Sequence, residues 1–562
     1  MSKRLVGVAL LMCGWAAACE RPAEKDGAAA TDAVAPVDTV ARFQAEAIAA
    51  GRSDNAHWGV EPDKYTQWGT HSNRLVPVYT FGTAGKGDGI DLNSYTGENS
   101  VYRDEAGVRT LYGYVPEGTV NDSATWLDQS NIADLQRAAL AAGKKHVFLV
   151  VFDGMDWQTT QAASIFNKQR VTYTEGRGTG TRFQSYEANG TTQYGFMVTS
   201  PHNDGTRTNV DKQTVLNPGG SVRGGYAAAA GGEAPWATAP DAGYLIGKPA
   251  DGFPKHAYTD SASSATSMTA GIKTYNNAIN VDATGQPVST VFHEAQEQGY
   301  RVGIVSSVPV SHATPACAYA HNVARKDYQD ISRDMLGLPS ISHPQTPLPG
   351  LDVVIGGGLG TEGESSSSQG ENYEPGNIYL ADSDLNKVNA ANGGAYVTDV
   401  GVPGENAGRN LRKAADEAAR TGKRLLGFYG VGRYNGHLPY QTANGDYQPV
   451  AGRGKAETYT EEEVAANPTM RQMTQAALTV LSADDSAPGF WLMVEAGDVD
   501  WANHDNNLDN SIGALNSGDG AVRAIIKWVE ANSNWDESVM IVTADHGHYL
   551  NLTNPQVLVG EE

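Results

Sequence analysis

Acidic and histidine side chains that could bind metal ions follow two apolar stretches of the sequence. The stretch HVFLVVF ends at Asp153, and MIVTA ends at Asp545 and His546. In open α/β sheets the functional site lies beyond the carboxyl ends of the strands, so these groups are expected to converge. Acidic residues also begin ordinary loops, and for each group alone that structural interpretation stays open.

A further cluster lies in WLMVEAGDVDWANHDNN, which contains Glu495, Asp500 and His504. Because Asp500 and His504 are four residues apart, they would project from one face of a helix and bind one ion. A carboxylate oxygen with an imidazole nitrogen suits zinc, whereas Glu495 offers a harder oxygen that suits magnesium. A capped helix start without a metal is the alternative.

The serine-rich segment YTDSASSATSMTAGIK predicts a nucleophile at the start of a helix. Asp260 and Ser261 precede small, helix-compatible residues that end at Gly271. At a helix N-terminus the dipole and the free backbone N–H groups favour an anion. A serine hydroxyl is a weak nucleophile unless a base or a metal activates it, and no catalytic triad is evident, so a metal is the favoured activator. An ordinary serine cap is the alternative.

The composition is that of a large globular protein. The 562 residues suffice for one large α/β domain with insertions or for several smaller domains. The 64 acidic residues against 41 basic ones give a net charge of −23, which argues against nucleic acid or anionic lipid as a main partner. The three cysteines provide no internal disulfide framework, because two of them, Cys13 and Cys19, fall in the N-terminal leader.

Apolar segments alternate with helical patterns, as in an α/β sheet that is buried on both faces. The predicted strands are His146–Phe152, Arg301–Ser306, Asp352–Ile355, Arg424–Tyr429, Gly489–Glu495 and Ser538–Ala544. The predicted helices are 130–143, 289–298, 406–421, 467–481 and 519–531. We therefore predict an α/β fold with a large central, mainly parallel sheet flanked by helices on both faces. A single domain at 41–562 would carry it, with surface insertions near 172–255 and 327–400.

Residues 1–19 have the pattern of an export signal. Lys3 and Arg4 precede an apolar core, and small residues then lead to Cys19. The pattern resembles a bacterial lipoprotein signal, which implies a lipid at Cys19 as the attachment to a membrane; plain cleavage is the alternative. Residues 20–40, rich in Ala, Asp and Pro, predict a flexible tether. The expected location is exported, either periplasmic or at the cell surface.

Taken together, the motifs resemble the alkaline phosphatase family. The matching segments are Asp153-Gly154-Met155, Asp260-Ser261-Ala262, HATPACAYAHNVAR, VEAGDVDWANHD and Thr543-Ala544-Asp545-His546. They occur in the family's own order, and the joint pattern is far more specific than any of its parts. The resemblance implies an alkaline-phosphatase-like fold and hydrolysis of phosphate monoesters through a phosphoserine formed on Ser261.

The resemblance also implies a site for two Zn²⁺ ions and one Mg²⁺ ion. The metal ligands that it implies are Asp500 and His504 for the first zinc, Asp153, Ser261, Asp545 and His546 for the second, and Asp153, Thr314 and Glu495 for magnesium. His312 lies where family members carry Asp or His, and a histidine there is expected to change the metal preference of the third site. Arg325 is implied to clamp two phosphate oxygens with its planar guanidinium.

The chain departs from the family at the first zinc, whose second histidine usually lies well downstream of the Asp-His pair. Only 16 residues follow His546, and His548 is the only histidine among them. Near the other end of the chain, WGTHSNRLVPVYTFG is similar to the family's late segment, in which a histidine precedes a Val-Pro-Val-Tyr strand. We predict that His71 supplies the missing ligand, as in a circular permutation. The alternatives are a truncated C-terminus, or His548 or His57 in that role.

Two other functions remain as alternatives to the phosphomonoesterase: a phosphodiesterase of the same superfamily, and a catalytically inactive, lipid-tethered binding protein. A sulfatase is disfavoured, because no Cys or Ser precedes the required x-Pro-x-Arg pattern. The expected partners are small phosphate monoesters, and a homodimer is a further expectation. His437, in GHLPYQTANGDY, is predicted to be structural or to lie at the pocket rim.

Overall fold

Ten strands of the chain form one central sheet. The computed structural model describes residues 38–246 and 256–559. Within them the strands of this sheet are β1 (Val76–Phe81), β2 (Leu127–Asp128), β3 (His146–Phe152), β4 (Gln193–Val198), β5 (Arg301–Pro309), β6 (Val353–Gly357), β7 (Tyr396–Val400), β8 (Arg424–Phe428), β9 (Phe490–Ala496) and β10 (Ser538–Thr543).

The sheet is mainly parallel. Its order from one edge is β7-β8-β6-β5-β9-β3-β10-β1-β4-β2. All neighbours from β7 to β10 are parallel, whereas β1 is antiparallel to both β10 and β4. Every residue of β9 and β10 is buried, which explains their continuous apolar runs. The predicted fold class is therefore confirmed.

Helices flank the sheet in two groups. The helices of seven or more residues in the described part of the chain are α1 (Thr39–Ala50), α2 (Glu105–Tyr112), α3 (Asn131–Ala141), α4 (Trp157–Lys168), α5 (Ser261–Ala270), α6 (Val291–Glu297), α7 (Tyr328–Leu336), α8 (Asp382–Val388), α9 (Ala407–Thr421), α10 (Met470–Leu481), α11 (Asp498–His504) and α12 (Leu508–Asn532). Helices α9, α10, α12 and α4 contact one another in that order, and α3 contacts α5 and α6. One continuous apolar core joins these layers.

The six predicted strands all occur, with ends that differ by at most a few residues. The helix predicted at 519–531 is longer than expected, because α12 begins at Leu508. Its first half contains Asn, Ser and Gly, which are weak helix formers. The side chain of Asn507 nevertheless caps the helix by accepting a hydrogen bond from the Asn510 N–H, and buried residues from Leu508 to Leu515 outweigh the low propensity.

Both ranges that we predicted to be insertions contribute strands to the central sheet. Strand β4 lies within 172–255, and β6 and β7 lie within 327–400. Strand β6 was predicted at Asp352–Ile355, whereas the segments around β4 and β7 are rich in Gly, Ser, Thr and Asn, which hid these two strands in the sequence. The two ranges therefore form part of the sheet as well as part of the surface.

Strand β1 enters the sheet from the N-terminal part of the chain and lies beside β10. Val78 pairs with Thr543 and Phe81 pairs with Met540. Because β1 runs antiparallel to β10, the residues before β1 lie at the same sheet edge as the residues after β10. The N–H of Ser72 donates to the carbonyl of Gly547 at 2.8 Å, which fixes this contact.

The predicted signal at 1–19 and its Cys19 lie outside the described residues, as does most of the tether at 20–40. Helix α1 begins at Thr39, inside the last part of that tether. None of the helices in the described ranges is long and apolar enough to cross a bilayer.

Candidate metal centre

Three neighbouring strands deliver acidic and histidine residues to one edge of the sheet. Asp153 follows β3, Glu495 lies near the end of β9, and Asp545 and His546 follow β10 soon after its last residue. The strands are adjacent and parallel in the order β9-β3-β10, so their carboxyl ends meet. All four side chains are almost completely buried.

Gly154 permits the close packing of this edge. Its φ of 73° lies in the left-handed region, which favours glycine. A Cβ at this position would lie 2.8 Å from the His548 ring and 2.9 Å from Cα of Asp500. The Gly154 N–H donates to Oδ1 of Asp545 at 2.9 Å. Position 154 therefore requires glycine, because its backbone is left-handed and no space is left for a Cβ.

Asp153, Asp545 and His546 form one group of potential ligands. Nε2 of His546 lies 3.3 Å from Oδ1 of Asp153 and 3.3 Å from Oδ2 of Asp545. Oγ of Ser261 lies 3.4 Å from the same nitrogen. Two carboxylates, an imidazole and a hydroxyl thus face a common point, and this donor set suits zinc.

A second group surrounds the carboxylate of Asp500 and contains His71, His546 and His548. Oδ1 of Asp500 lies 2.6 Å from Nε2 of His548 and 3.5 Å from Nε2 of both His71 and His504. Asp500 and His504 both lie on α11, as their spacing predicted. The structure therefore brings together residues from near position 70 and from positions 500 to 548.

The imidazoles of His71 and His504 have a geometry that calls for a cation between them. Nδ1 of His71 faces the Thr259 carbonyl at 2.9 Å, and Nδ1 of His504 faces the Gly69 carbonyl at 2.9 Å. Each Nδ1 must then carry the proton, because a carbonyl only accepts. The two Nε2 atoms, which lie 3.0 Å apart, both present lone pairs. A metal ion bound by both nitrogens, or a second proton on one ring, resolves this conflict, and two imidazole nitrogens beside the Asp500 carboxylate fit zinc.

Glu495 and Thr314 provide unpaired oxygens beside the first group. Oε2 of Glu495 accepts a hydrogen bond from the Ser306 hydroxyl. Within the described residues, Oε1 of Glu495 and Oγ1 of Thr314 have no hydrogen-bond partner, although both side chains are fully buried. Oδ1 of Asp153 and Oδ2 of Asp545 also lack one. Buried oxygens normally find partners, and hard oxygens of this kind suit magnesium.

The electrostatics also favour bound cations. Burial, followed by the charges of Asp545, Asp500 and Glu495, raises the pKa of Asp153 well above its ordinary value. Burial raises the pKa of Asp545 to about 6 and the pKa of Glu495 to about 8. Carboxylates that lie this close cannot all ionise without compensating positive charge. Divalent cations would supply that charge and allow all of them to act as ligands.

Ser261 is the first residue of helix α5, and Asp260 caps the helix. The Asp260 side chain accepts a hydrogen bond from the Ser263 N–H at 3.0 Å. Its other oxygen accepts from Nη1 of Arg325 at 3.0 Å and from the Asn277 N–H at 3.1 Å. Asp260 therefore fixes both the start of the helix that carries Ser261 and the direction of the Arg325 guanidinium.

Two cavities open from the centre. One, of about 520 Å³, is lined by Ser261, Arg325, Tyr440, Trp501 and Glu457, among others. The other, of about 530 Å³, is lined by residues that include Tyr258 and Arg453. The residues that line both cavities are His71, His312, Arg325 and His504.

His312 lies in the wall of these cavities. Its ring meets Trp501 edge-on at 5.7 Å between centroids and stacks on Tyr328 at 6.2 Å. Burial, with the charge of Arg325, lowers the pKa of His312 to about 3, so the ring is neutral. Its Nδ1 has no hydrogen-bond partner among the described residues and remains able to act as a ligand.

His548 belongs to this centre together with His71, whereas the sequence pointed to it only as an alternative to His71. The structure places both histidines against Asp500. The sequence feature that could have identified His548 is its spacing of two residues from His546, since alternate residues of an extended segment point to the same side. His57 lies instead in a short strand, Ala56–Trp58, that pairs with Leu550–Leu552. The pairing of Asp260 with Arg325 had no sequence signal.

His437 lies near the centre but within a polar and aromatic cluster. Its ring is buried, stacks on Tyr440 at 4.3 Å between centroids, and meets Trp501 edge-on. Nε2 lies 3.1 Å from Oε1 of Glu457. Tyr440, Glu457 and Trp501 line the first cavity, so His437 supports the wall of that cavity.

Comparison with protein families shows a match to alkaline phosphatase over residues 244–560. The matched range contains Ser261, Arg325 and the candidate ligands from His312 onward. Asp153 and His71 lie outside it.

Curated relatives match about half of the chain. Alkaline phosphatase 3 of Bacillus subtilis is 29% identical over 308 residues, which cover 54% of this chain and 52% of the relative. Alkaline phosphatase H of Pseudomonas aeruginosa is 31% identical over 314 residues, covering 53% of this chain and 59% of the relative. The chain thus spans little more than half the length of these relatives.

Solved structures of similar proteins include a cold-active alkaline phosphatase from a psychrophilic Shewanella species. It is 21% identical, with a TM-score of 0.40, and the match covers 72% of this chain and 68% of that one. The alkaline phosphatase of Thermus thermophilus is also 21% identical, with a TM-score of 0.42 and coverage of 72% and 60%.

Proposed function

Because the chain belongs to the alkaline phosphatase family, we propose that it hydrolyses phosphate monoesters and that Ser261 is its nucleophile. The observation that carries this proposal is the position of Ser261. Its hydroxyl lies at a helix N-terminus, 3.4 Å from Nε2 of His546, and it lines the same cavity as Arg325. An anion in this cavity would meet a helix dipole and a guanidinium.

The proposed cofactors are two Zn²⁺ ions and one Mg²⁺ ion. The residues that would hold them are His71, Asp500 and His504 for one zinc, Asp153, Ser261, Asp545 and His546 for the other, and Asp153, Thr314 and Glu495 for magnesium. Bound cations would supply positive charge that stabilises the negative charge developing on the reacting oxygens. His312 would border the third site and influence which metal it prefers.

The protein's own groups would orient the phosphate and form the covalent intermediate. Arg325, held by Asp260, would bind two phosphate oxygens with the donors that Asp260 leaves free. Oγ of Ser261 would form a bond to phosphorus, while the bond from phosphorus to the ester oxygen breaks and the alcohol leaves with a proton. Water would then displace the phosphate from Ser261, so that phosphate is released and the serine hydroxyl is restored.

We propose further that residues 68–82 take the place of the late histidine segment of the family. This is supported by the position of His71 beside Asp500 and His504. The antiparallel pairing of β1 with β10 also supports it, because that pairing carries the residues before β1 to the metal edge.

The test is to trap the covalent intermediate. Brief reaction with labelled phosphate monoester, quenched in acid, should leave label on a peptide that contains Ser261. Ser261→Ala should leave none. Label on another residue would refute the nucleophile, and no turnover of any monoester by metal-loaded protein would favour the inactive binding protein.

A phosphodiesterase is the second candidate, and the two cavities favour it. A diester carries a second organic group, and the openings of about 520 and 530 Å³ on the shared residues offer room for one group each. Release of p-nitrophenol from its mono- and bis-phosphate esters separates the two functions. A higher kcat/KM for the diester would favour this candidate.

The remaining proposals concern partners and location. The acidic net charge of −23 supports small phosphate esters rather than nucleic acid as substrates. Export, a lipid at Cys19 and a homodimer are further proposals. Palmitate labelling of intact cells that express the wild type or Cys19→Ser tests the anchor, and sedimentation tests the dimer.

A further inference from the structure

A second set of metal-binding side chains lies apart from the candidate centre. It consists of His321, Asp334 on α7, and His343 in the turn that follows α7. One ligand atom of each residue lies within 4.8 Å of the ligand atoms of the other two. Among the described residues, none of the three lines either cavity of the candidate centre.

His321 is held in the tautomer that a metal ligand needs. The residue is 6% exposed, and Nε2 lies 2.9 Å from the carbonyl of Val288. Because a carbonyl only accepts, Nε2 carries the proton and Nδ1 carries a lone pair. Nδ1 is buried and has no hydrogen-bond partner within the described residues. A histidine that donates one N–H to a carbonyl and leaves the other nitrogen free is typical of metal sites.

Asp334 and His343 complete the set with a carboxylate and a second imidazole. Asp334 is fully buried, and its Oδ1 lies 2.9 Å from Nδ1 of His343. The Ser340 hydroxyl donates to the same oxygen at 2.5 Å, and the backbone N–H of His321 donates to Oδ2 at 3.0 Å. These bonds bring the turn, α7 and the His321 loop to one point.

Two other imidazoles lie beside the ring of His321, one stacked on it and one tilted to it. The ring of His321 lies 5.1 Å from that of His343 and 5.1 Å from that of His293, between centroids.

We propose that His321, Asp334 and His343 bind a divalent cation of the zinc class. Two imidazole nitrogens and one carboxylate oxygen are ligands that zinc accepts, with a water in the fourth position. Ligand atoms on a tetrahedral zinc lie about 3.3 Å apart for bonds of about 2.0 Å. The ligand atoms of the three residues lie up to 4.8 Å apart, so the most distant of them would have to approach by about 1.5 Å at most. The His343 side chain, which is 18% exposed on a turn, has room for this movement.

The cation would restrain the chain segment that carries Arg325. His321 precedes Arg325 by four residues, and the segment between them is tied to the rest of the chain by Asn322, whose N–H donates to the carbonyl of Ile279 at 2.9 Å. Fixing His321 to α7 and to the turn at 340–343 would restrain this segment from its other end. The site would therefore stabilise the fold beside the catalytic arginine without touching substrate.

Metal analysis of the full chain tests the proposal. Wild type and His343→Gln are saturated with zinc and magnesium, dialysed, and analysed for metal per chain. The variant should hold one zinc fewer and keep its rate of phosphate release. His202→Gln is the control, because His202 lies outside both sets of ligands, and it should keep the wild-type content. Equal zinc in wild type and H343Q would overturn the proposal.

Two further measurements cover the case in which H343Q folds poorly. His343→Cys retains a zinc ligand at the same position, so this variant should keep the additional zinc. Loss of that zinc from the His343→Cys variant would count against the site. In thermal unfolding, added zinc should raise the Tm of wild type more than that of H343Q, because an ion that binds only the folded state stabilises it. Equal increases would mean that the cluster is only a hydrogen-bonded turn.

Discussion

Replacing Arg325 by alanine should weaken phosphate binding far more than it disturbs the fold. The side chain makes an ion pair of 3.0 Å with Asp260. When it is removed, Asp260 still accepts hydrogen bonds from the N–H groups of Ser263 and Asn277, so the cap of α5 persists. A charge-assisted contact to phosphate contributes about 1.5–3 kcal/mol. That range corresponds to about a 10- to 150-fold rise in the inhibition constant for inorganic phosphate.

The assay is competitive inhibition of p-nitrophenyl phosphate hydrolysis by phosphate, with metal content measured in parallel. Arg137→Ala is the matched control, because Arg137 makes an ion pair of 3.0 Å with Glu294 away from the cavities. The control should change neither inhibition nor turnover. If Arg325→Ala retained wild-type inhibition and turnover with full metal content, the role given to this guanidinium would be wrong.

Three other substitutions and removal of the metals test the remaining parts of the site. Ser261→Ala should lower kcat by several orders of magnitude because the nucleophile is lost. Metal content should stay near normal, since Asp153, Asp545 and His546 would still hold the second zinc; residual turnover near the wild-type rate would contradict this. His71→Ala should remove about one zinc per chain, with His57→Ala as the control, and retention of that zinc would refute the role of His71. His548→Ala should lower zinc affinity about 10- to 100-fold through its contact with Asp500. Chelation should abolish activity and zinc with magnesium should restore it; full activity in metal-free protein would refute the metal requirement.

Much of the fold could be predicted because buried parallel strands leave continuous apolar runs in the sequence. The segments that became β3, β9 and β10 are of this kind. Strands β4 and β7 gave no such signal, because half-buried positions interrupt them. For those strands, pairing with neighbours rather than local pattern decides the structure.

The candidate site could be predicted only in part for a similar reason. Residue type and helical spacing pointed to Asp500 and His504, and the strand ends pointed to Asp153 and Asp545. The partners that orient them are backbone carbonyls and distant side chains, such as the Thr259 carbonyl that fixes His71. These contacts depend on the assembled fold and leave no mark on the local sequence.

The position of β1 has a consequence for how the protein is made. His71 and His504 face each other across 433 positions of sequence, and β1 pairs with a strand that begins at Ser538. A ribosome or a translocation channel therefore releases the first partner long before the second. Contacts this distant in sequence form slowly, so the edge of β1 that pairs with β10 stays unpaired until β10 has been made. The metal that His71 would hold can thus be loaded only after β10 and the residues that follow it have emerged.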